Sequence, residues 1–235
     1  MSEQLDYTKL IEQSDYQKKM AAEKSVELIE DGMIIGLGSG STVYWMLKRL
    51  GERVKEGLVV KGIPSSKRTA GWADEFGIPL TGFHEAMQLD LAIDGADEID
   101  GDLNLIKGGG GSLVREKIVN AAANRLIIIA DKSKMVSHLG ESALPVEVLP
   151  FGWEITAKHI SQLGCVTTLR KKKKEVFISD NGNYILDCQF DHIADPKSLH
   201  ESLKLLVGVV ETGLFIGMTE QVIIGENETI KIIYS

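Results

Sequence analysis

The stretch "MIIGLGSGST", residues 33–42, decides the fold. "MIIGL" is a short apolar run of the kind a fully buried strand needs, and a helical pattern follows over 41–56. A glycine-rich turn separates them. Strand, glycine turn and helix start, in that order, open a βα unit of an α/β domain. The same order can make an anion site, or only a tight turn that caps the helix. Glycines let the backbone approach closely, and free N–H groups with the helix dipole favour a phosphate. Ser39, Ser41 and Thr42 add hydroxyls around Gly40. The turn does not suit a dinucleotide, because Ser41 stands where glycine is wanted and the second strand ends "KGIPSS", without a carboxylate. It does not suit a Walker A loop either, since no lysine follows the last glycine.

Outward from this stretch, further strands are expected at 58–63, 89–93, 103–107 and 125–130. Helices are expected at 14–30, stopped by Gly32, at 66–76, ending at Gly77, and at 112–124. The alternation predicts an α/β fold with an open, mostly parallel, Rossmann-like sheet, and the continuous apolar strands predict burial on both faces. The pattern changes after Ala143. "LPVEVLP" is an extended stretch fenced by Pro145 and Pro150, and a helix follows at 153–163. Two strands flank "RKKKK" (170–174), expected at a hairpin tip as solvated charge, and "DNGN" (180–183) is a strong hairpin-turn signal. Asp195 and Pro196 open another helix as cap and first residue. This predicts a smaller α+β, ferredoxin-like subdomain over 143–217, placed in an oligomer interface. The Rossmann-like catalytic domain takes 1–142 and 218–235, with "QVIIGENETIKIIYS" as a hairpin returning to the large sheet.

Composition narrows the function classes. The 235 residues are 43% apolar and 26% charged, ordinary for a globular chain, and the net charge of −8 argues against a general nucleic-acid or anionic-membrane binder. There is no apolar signal run or long apolar span, so a cytoplasmic protein is expected. Cys165 and Cys188 are too few for a disulfide framework and are expected to be buried thiols. The five histidines form no metal-ligand spacing, and no metal site is expected.

Two more motifs bear chemistry. "DGADE", residues 94–98, puts Asp94 and Asp97, with Gly95 and Ala96 between, at the carboxyl end of a buried strand, the edge where open α/β sheets bind ligands. Carboxylates there accept hydrogen bonds from sugar hydroxyls, whereas an idle buried charge is costly. Glu98 is expected to be peripheral. "KGGGGSLVREK", residues 107–117, ends a strand at Lys107, turns on Gly108, Gly109, Gly110 and Gly111, and places Glu116 early in the next helix. Such a turn can bring Lys107 and Glu116 into one pocket. A carboxylate beside a fixed ammonium can remove a proton next to a carbonyl while the cation steadies the oxyanion. A helix-surface ion pair is the plainer alternative. Lys134, in "ADKSK" after another buried strand, can reach the same edge as a phosphate ligand or remain an ordinary exposed lysine.

Taken together and in order, "GLGSGST", "SSKRT", "DGADEID", "KGGGGSLVREK", "ADKSK", "LPVEVLP" and "DNGNYILD" closely resemble ribose-5-phosphate isomerase of the A type, from about Ser14 to the C-terminus. The resemblance implies interconversion of ribose 5-phosphate and ribulose 5-phosphate through a cis-enediolate, in the non-oxidative pentose phosphate pathway. It implies no metal or organic cofactor, and a homodimer or homotetramer. Glu116 matches the proton-abstracting glutamate, Asp94 and Asp97 the sugar-binding aspartates, and Lys107 the active-site lysine. Asp94 is expected also to shuttle the hydroxyl proton. Ser39, Gly40, Ser41, Thr42 and Lys134 match substrate-binding positions. Lys18, flanked by Lys19, falls where a lysine approaches the phosphate. Two departures stand out: Ser39 replaces a commoner threonine, and Gly111 extends the glycine turn and is expected to loosen it or to alter its closure. The first 13 or so residues look peculiar to this chain. Two other classes share parts of the pattern. A sugar-phosphate sensor would bind without turnover, but is expected to carry a DNA-binding domain, for which the 32 residues before the first strand are too few. A sugar-phosphate deaminase or lactonase would be expected to use a histidine, and the three motifs hold none.

Overall fold

The computed structural model describes residues 7–235; Met1 to Asp6 lie outside the described residues. In chain order the first half runs α1 (Tyr7–Val26), β1 (Ile34–Leu37), α2 (Ser41–Lys55), β2 (Lys61–Pro64), α3 (Lys67–Phe76), β3 (Leu91–Asp94), β4 (Glu98–Ile99), β5 (Leu105–Ile106), α4 (Leu113–Ala121) and β6 (Leu126–Asp131). The second half runs β7 (Leu144–Val148), α5 (Trp153–Ser161), β8 (Val166–Leu169), β9 (Lys171–Lys172), β10 (Glu175–Val176), β11 (Tyr184–Gln189), α6 (Pro196–Lys204), β12 (Val209–Thr212), β13 (Leu214–Phe215), β14 (Gln221–Glu226) and β15 (Thr229–Tyr234).

The large sheet has the order β15-β14-β6-β3-β1-β2, parallel except for β15, which returns antiparallel on β14. Successive strand residues point to opposite faces, and both faces are covered. Ile35, Leu37, Leu91, Ile93, Ile127 and Ile129 pack with residues of α1 and α2 such as Ala22, Val43 and Leu47. Ala92, Leu126, Ile128, Val222 and Ile224 pack with Ile99, Leu105 and Phe215, from the small sheet β13-β5-β4. The chain leaves β1 toward β2 on one side, while β3 lies on the other. The carboxyl ends of β1 and β3 therefore form a topological switch point, where a crevice opens for a ligand.

The second unit is a four-stranded antiparallel sheet, β12-β7-β11-β8, with α5 and α6 in the connections. Its βαββαβ order is ferredoxin-like. Leu144, Val146, Val148, Leu186 and Cys188 form its core with Ile160 and Leu203 from the helices. Both cysteines are free and buried.

Several sequence expectations need correction. Helix α1 ends at Val26, and tight turns carry the chain from Glu27 to Ile29, so Gly32 belongs to a later turn in which its N–H bonds to the Val59 carbonyl at 2.8 Å. Strand pairing on β2 begins only at Lys61, and on β5 covers only Leu105 and Ile106. Pro145 does not fence its strand but lies inside it. The facing Gly213 donates its N–H to the Pro145 carbonyl at 2.7 Å and gives its own carbonyl to the Lys107 N–H at 2.9 Å, so the N–H that proline lacks leaves no acceptor unserved. β13, within 143–217, pairs with β5. The turn at "DNGN" is present, with the Ser179 N–H bonded to the Asn183 carbonyl at 2.9 Å. The strand after it, however, pairs with β7 and β8, and β9–β10 are a separate excursion.

Candidate active site

The cavity at the switch point has a volume of about 200 Å³. Pockets for drug-sized ligands run to roughly 300–1,000 Å³, so this one suits a compact molecule. It has two ends.

At one end α2 begins. Gly40 precedes it without a side-chain cap, which leaves the first N–H groups of the helix free, and Ser41 and Thr42 line the cavity. Lys134 lines the same space from a single 3₁₀ turn, Lys132–Lys134, capped by Asp131, whose Oδ1 accepts from the Ser133 N–H at 3.0 Å. Lys18 reaches in from α1 beside Asp15, at 3.3 Å. Its neighbour Lys19 turns away toward Glu23 and the Trp45 ring. Free helix N–H groups, hydroxyls and two ammonium groups make this an anion end.

At the other end lie Gly95, Ala96, Asp97, Lys107, Gly108, Gly110 and Glu116. Lys107 is almost wholly buried, and its ammonium has three acceptors. Asp94 Oδ1 is at 3.0 Å, Glu116 Oε1 at 3.2 Å, and the Gly95 carbonyl completes the set. Burial alone lowers the pKa of a lysine, but Asp94 and Glu116 outweigh it and hold the ammonium above its ordinary value. Glu116, on the first turns of α4, is also buried. Burial pushes its carboxyl up to about 7, against the pull of Lys107 and with the push of Asp94. Its second oxygen, Oε2, has no hydrogen-bond partner among the described residues. A carboxylate of near-neutral pKa with one idle oxygen, beside a fixed cation, has what a general base needs. The helix-surface ion pair is excluded by this burial.

Asp97 lines the cavity and accepts the Gly109 N–H through Oδ2 at 2.8 Å, leaving Oδ1 for a ligand hydroxyl. Gly109 itself does not line the cavity. Asp94 differs from the sequence reading. It is fully buried behind Lys107 and has no face on the cavity. Its Oδ1 accepts from the Ser39 N–H at 3.0 Å and the Gly95 N–H at 2.8 Å as well as from Lys107, and Oδ2 accepts from Asn120 Nδ2 at 2.9 Å. Oδ1 takes three protein donors and Oδ2 one, so this carboxylate holds Lys107 and the two loops from behind the cavity wall. The glycine before Ser39 makes this possible: a Cβ at Gly38 would stand 2.2 Å from Asp94 Oδ1. Ser39 lines the cavity, but its hydroxyl turns inward to Ser65, Ser66 and Thr69 at 2.9–3.1 Å. Gly111 does not loosen its turn. It sits at φ +85, and a Cβ there would meet the Phe177 ring at 2.3 Å, so the extra glycine makes room for that ring. Glu98 is outside the cavity yet buried, where it accepts the Gly140 N–H at 2.7 Å and the Ser142 N–H.

Residues 61–229 match the family model described as ribose 5-phosphate isomerase A (phosphoriboisomerase A). The chain belongs to this family. A ribose-5-phosphate isomerase A from Oceanobacillus iheyensis is 55% identical over 94% of this chain and 99% of the relative. One from Bacillus mycoides is 54% identical over 91% of this chain and 97% of the relative. Among solved structures, a D-ribose-5-phosphate isomerase in complex with phospho-erythronic acid superposes with a TM-score of 0.92 at 37% identity, covering 94% and 99% of the two chains. The ribose 5-phosphate isomerase from Plasmodium falciparum gives 0.91 at 40% identity, with the same coverage.

Within this ribose-5-phosphate isomerase A site, Ser14, Asp131 and Ser133 also line the cavity and escaped the sequence reading. Asp131 and Ser133 lie within "ADKSK" itself, and the Asx-type cap was the available signal. Asn120, three positions past the end of "KGGGGSLVREK", gave no signal. Among the described residues no helix is long and apolar enough to cross a membrane.

Proposed function

We propose that this chain is a cytoplasmic aldose–ketose isomerase that interconverts D-ribose 5-phosphate and D-ribulose 5-phosphate, the step that links these sugars in the non-oxidative pentose phosphate pathway. Family membership supports the reaction, and the Lys107–Glu116 pair with its idle Oε2 carries the chemistry. The relative bound to phospho-erythronic acid, a phosphorylated sugar acid, supports a site with an anion end and a polyol end.

The open-chain substrate lies with its phosphate on the start of α2, Lys134 and Lys18, and with hydroxyls on Asp97. Glu116 Oε2 takes the C2 proton, the C1 carbonyl oxygen becomes an oxyanion, and a cis-enediolate forms. Glu116 then returns the proton to C1, while the hydroxyl proton passes from O2 to O1 and C2 becomes the carbonyl. Lys107 serves the charge as it moves. All three of its N–H groups are engaged at the start. Once Glu116 is protonated its hold on Lys107 weakens, and the freed N–H turns to the oxyanion. The ammonium thus stays between the two places the negative charge occupies, as preorganised electrostatic catalysis requires. Asp94 acts through Lys107 by keeping it charged and fixed. No step needs a metal or an organic cofactor.

The ferredoxin-like subdomain, 143–217, is read as the part that meets a second copy of the chain, giving a homodimer or homotetramer. Phe151 is 96% exposed, Leu205 84% and Val207 88%, and a bond of 2.9 Å from the Leu149 N–H to the Gly208 carbonyl sets the two loops side by side. Apolar side chains so grouped are expected to be covered. Light scattering should find a dimer or tetramer, and a monomer at micromolar concentration would contradict this.

The reaction itself is tested by incubating EDTA-treated protein with ribose 5-phosphate and following ribulose 5-phosphate. Turnover that survives chelation supports the reading. Binding without turnover would make the site a sensor's.

A further inference from the structure

The basic run 170–174 divides in two. Lys171 to Lys174 are exposed, on and around the β9–β10 hairpin, with Lys173 at φ 60 in its tip. Arg170 turns the other way, into the molecule. Its Nε donates to Asp187 Oδ2 at 3.0 Å and its Nη2 to Asp187 Oδ1, a two-pronged pair that fixes the plane of the guanidinium. Its Nη1 then donates to the carbonyl of Gly108 at 2.7 Å and to that of Gly109 at 3.2 Å. The Phe177 ring lies 5.9 Å from the guanidinium and fills the space over Gly111.

Those two carbonyls belong to peptide units with a second task. A peptide is planar and trans, so holding its carbonyl aims its N–H the opposite way. The Gly108 carbonyl shares a plane with the Gly109 N–H, which donates to Asp97 at 2.8 Å. The Gly109 carbonyl shares a plane with the N–H of Gly110, which lines the cavity. A run of four glycines has little stiffness of its own, so its direction must come from outside.

We propose that Arg170, reaching across from the ferredoxin-like subdomain, is a positioning residue for the isomerase: it aims the glycine-turn N–H groups at Asp97 and at the enediolate. The proposal rests on the isomerase reading above. It also gives the smaller subdomain a part in the chemistry besides assembly. The "DNGN" turn works beside it. Arg115, the neighbour of Glu116, donates to Asn181 Oδ1 and to the Asp180 carbonyl, both at 2.8 Å, so the subdomain grips α4 as well as the glycine turn.

The test is steady-state isomerisation of ribose 5-phosphate by wild-type protein, Arg170→Ala and Arg170→Lys, with melting temperatures alongside. A backbone donor aimed at developing charge is worth ~10²–10³ in kcat, so loss of its aim alone should lower kcat by ~10–100-fold in Arg170→Ala, with KM moving by less than about threefold. Guanidinium ion added to Arg170→Ala should restore part of kcat and leave wild type unchanged. Arg170→Lys should stay low, because a single ammonium cannot span two carbonyls and a carboxylate. Wild-type kcat in either folded variant would overturn the proposal. So would a loss in Arg170→Ala that follows its melting temperature and ignores guanidinium. Should Arg170→Ala fail to fold, Arg170→Lys decides. Absence of isomerisation in the wild type would instead overturn the isomerase reading.

Discussion

Lys107 touches Glu116 through one oxygen only: its ammonium lies 3.2 Å from Oε1, while Oε2 stays buried and without a partner among the described residues. An orphaned buried carboxylate oxygen is costly in a structure that has no use for it. Here Glu116 lines a small cavity whose far end is built for an anion. The pair is fixed from behind by Asp94, which takes four protein donors.

The first prediction concerns pH. Glu116 works as a base only when ionised, and burial holds its carboxyl at about 7. Below that value the protonated form grows, so kcat should fall about tenfold per pH unit toward acid. Lys107, held above the ordinary lysine value, adds no alkaline limb in the neutral range. A kcat profile over pH 5–9 checks both statements.

Removing the cation should move that profile. Lys107 lowers the Glu116 pKa, so Lys107→Met should shift the acid limb upward and cut kcat far more than it raises KM. It also leaves Asp94 buried without its counter-charge, which should cost about 3–5 kcal/mol of stability. A kcat–pH series with a urea melt measures the two effects. A pure rise in KM would make Lys107 a binding residue.

The two aspartates should part company. Asp97→Ala removes a group on the cavity wall and should raise KM most. Asp94→Asn removes the negative charge that holds Lys107 and, with its oxygen kept on the Ser39, Gly95 and Lys107 donors, sets an amide N–H against the Asn120 Nδ2 donor; an unsatisfied buried donor costs about 1–3 kcal/mol. Its signature is a lower melting temperature together with a lower kcat. Equal effects on KM in the two variants would contradict the placement of Asp94 behind Lys107.

The alternation of apolar runs and amphipathic segments made the doubly wound sheet legible, as did the glycine turn at a helix start. The roles inside the site were less so. "DGAD" shows two carboxylates at a strand end, but which of them faces the cavity depends on close packing at Gly38, where a Cβ would stand 2.2 Å from Asp94 Oδ1, a relation with no local trace. Gly111 read as slack because its partner, Phe177, lies 66 residues away in the sequence, inside the other subdomain. Arg170 was hidden by company: in a run of five basic residues, nothing marks the one that turns inward to Asp187. Short-range pattern carries secondary structure, whereas these contacts are long-range and set by how two subdomains meet.

At the anion end, Lys134→Ala should raise KM for ribose 5-phosphate by about 10-fold or more with kcat little changed, since it removes uniform binding. The KM of the wild type should rise with ionic strength, and that of the variant less steeply. Titration with salt at fixed pH separates the two.

The central claim is that Glu116 carries the proton between C2 and C1. The most direct test is turnover of ribose 5-phosphate in deuterated water by wild type and Glu116→Gln, reading both rate and deuterium at C1 of the ribulose 5-phosphate. General acid–base catalysis contributes ~10²–10⁴-fold, so Glu116→Gln should lose at least that in kcat with its melting temperature preserved, while the wild type carries the C2 hydrogen to C1 and shows deuterium there only in the turnovers in which the Glu116 proton exchanges with solvent first. A folded Glu116→Gln that keeps its rate to within about tenfold, well short of that contribution, would contradict it.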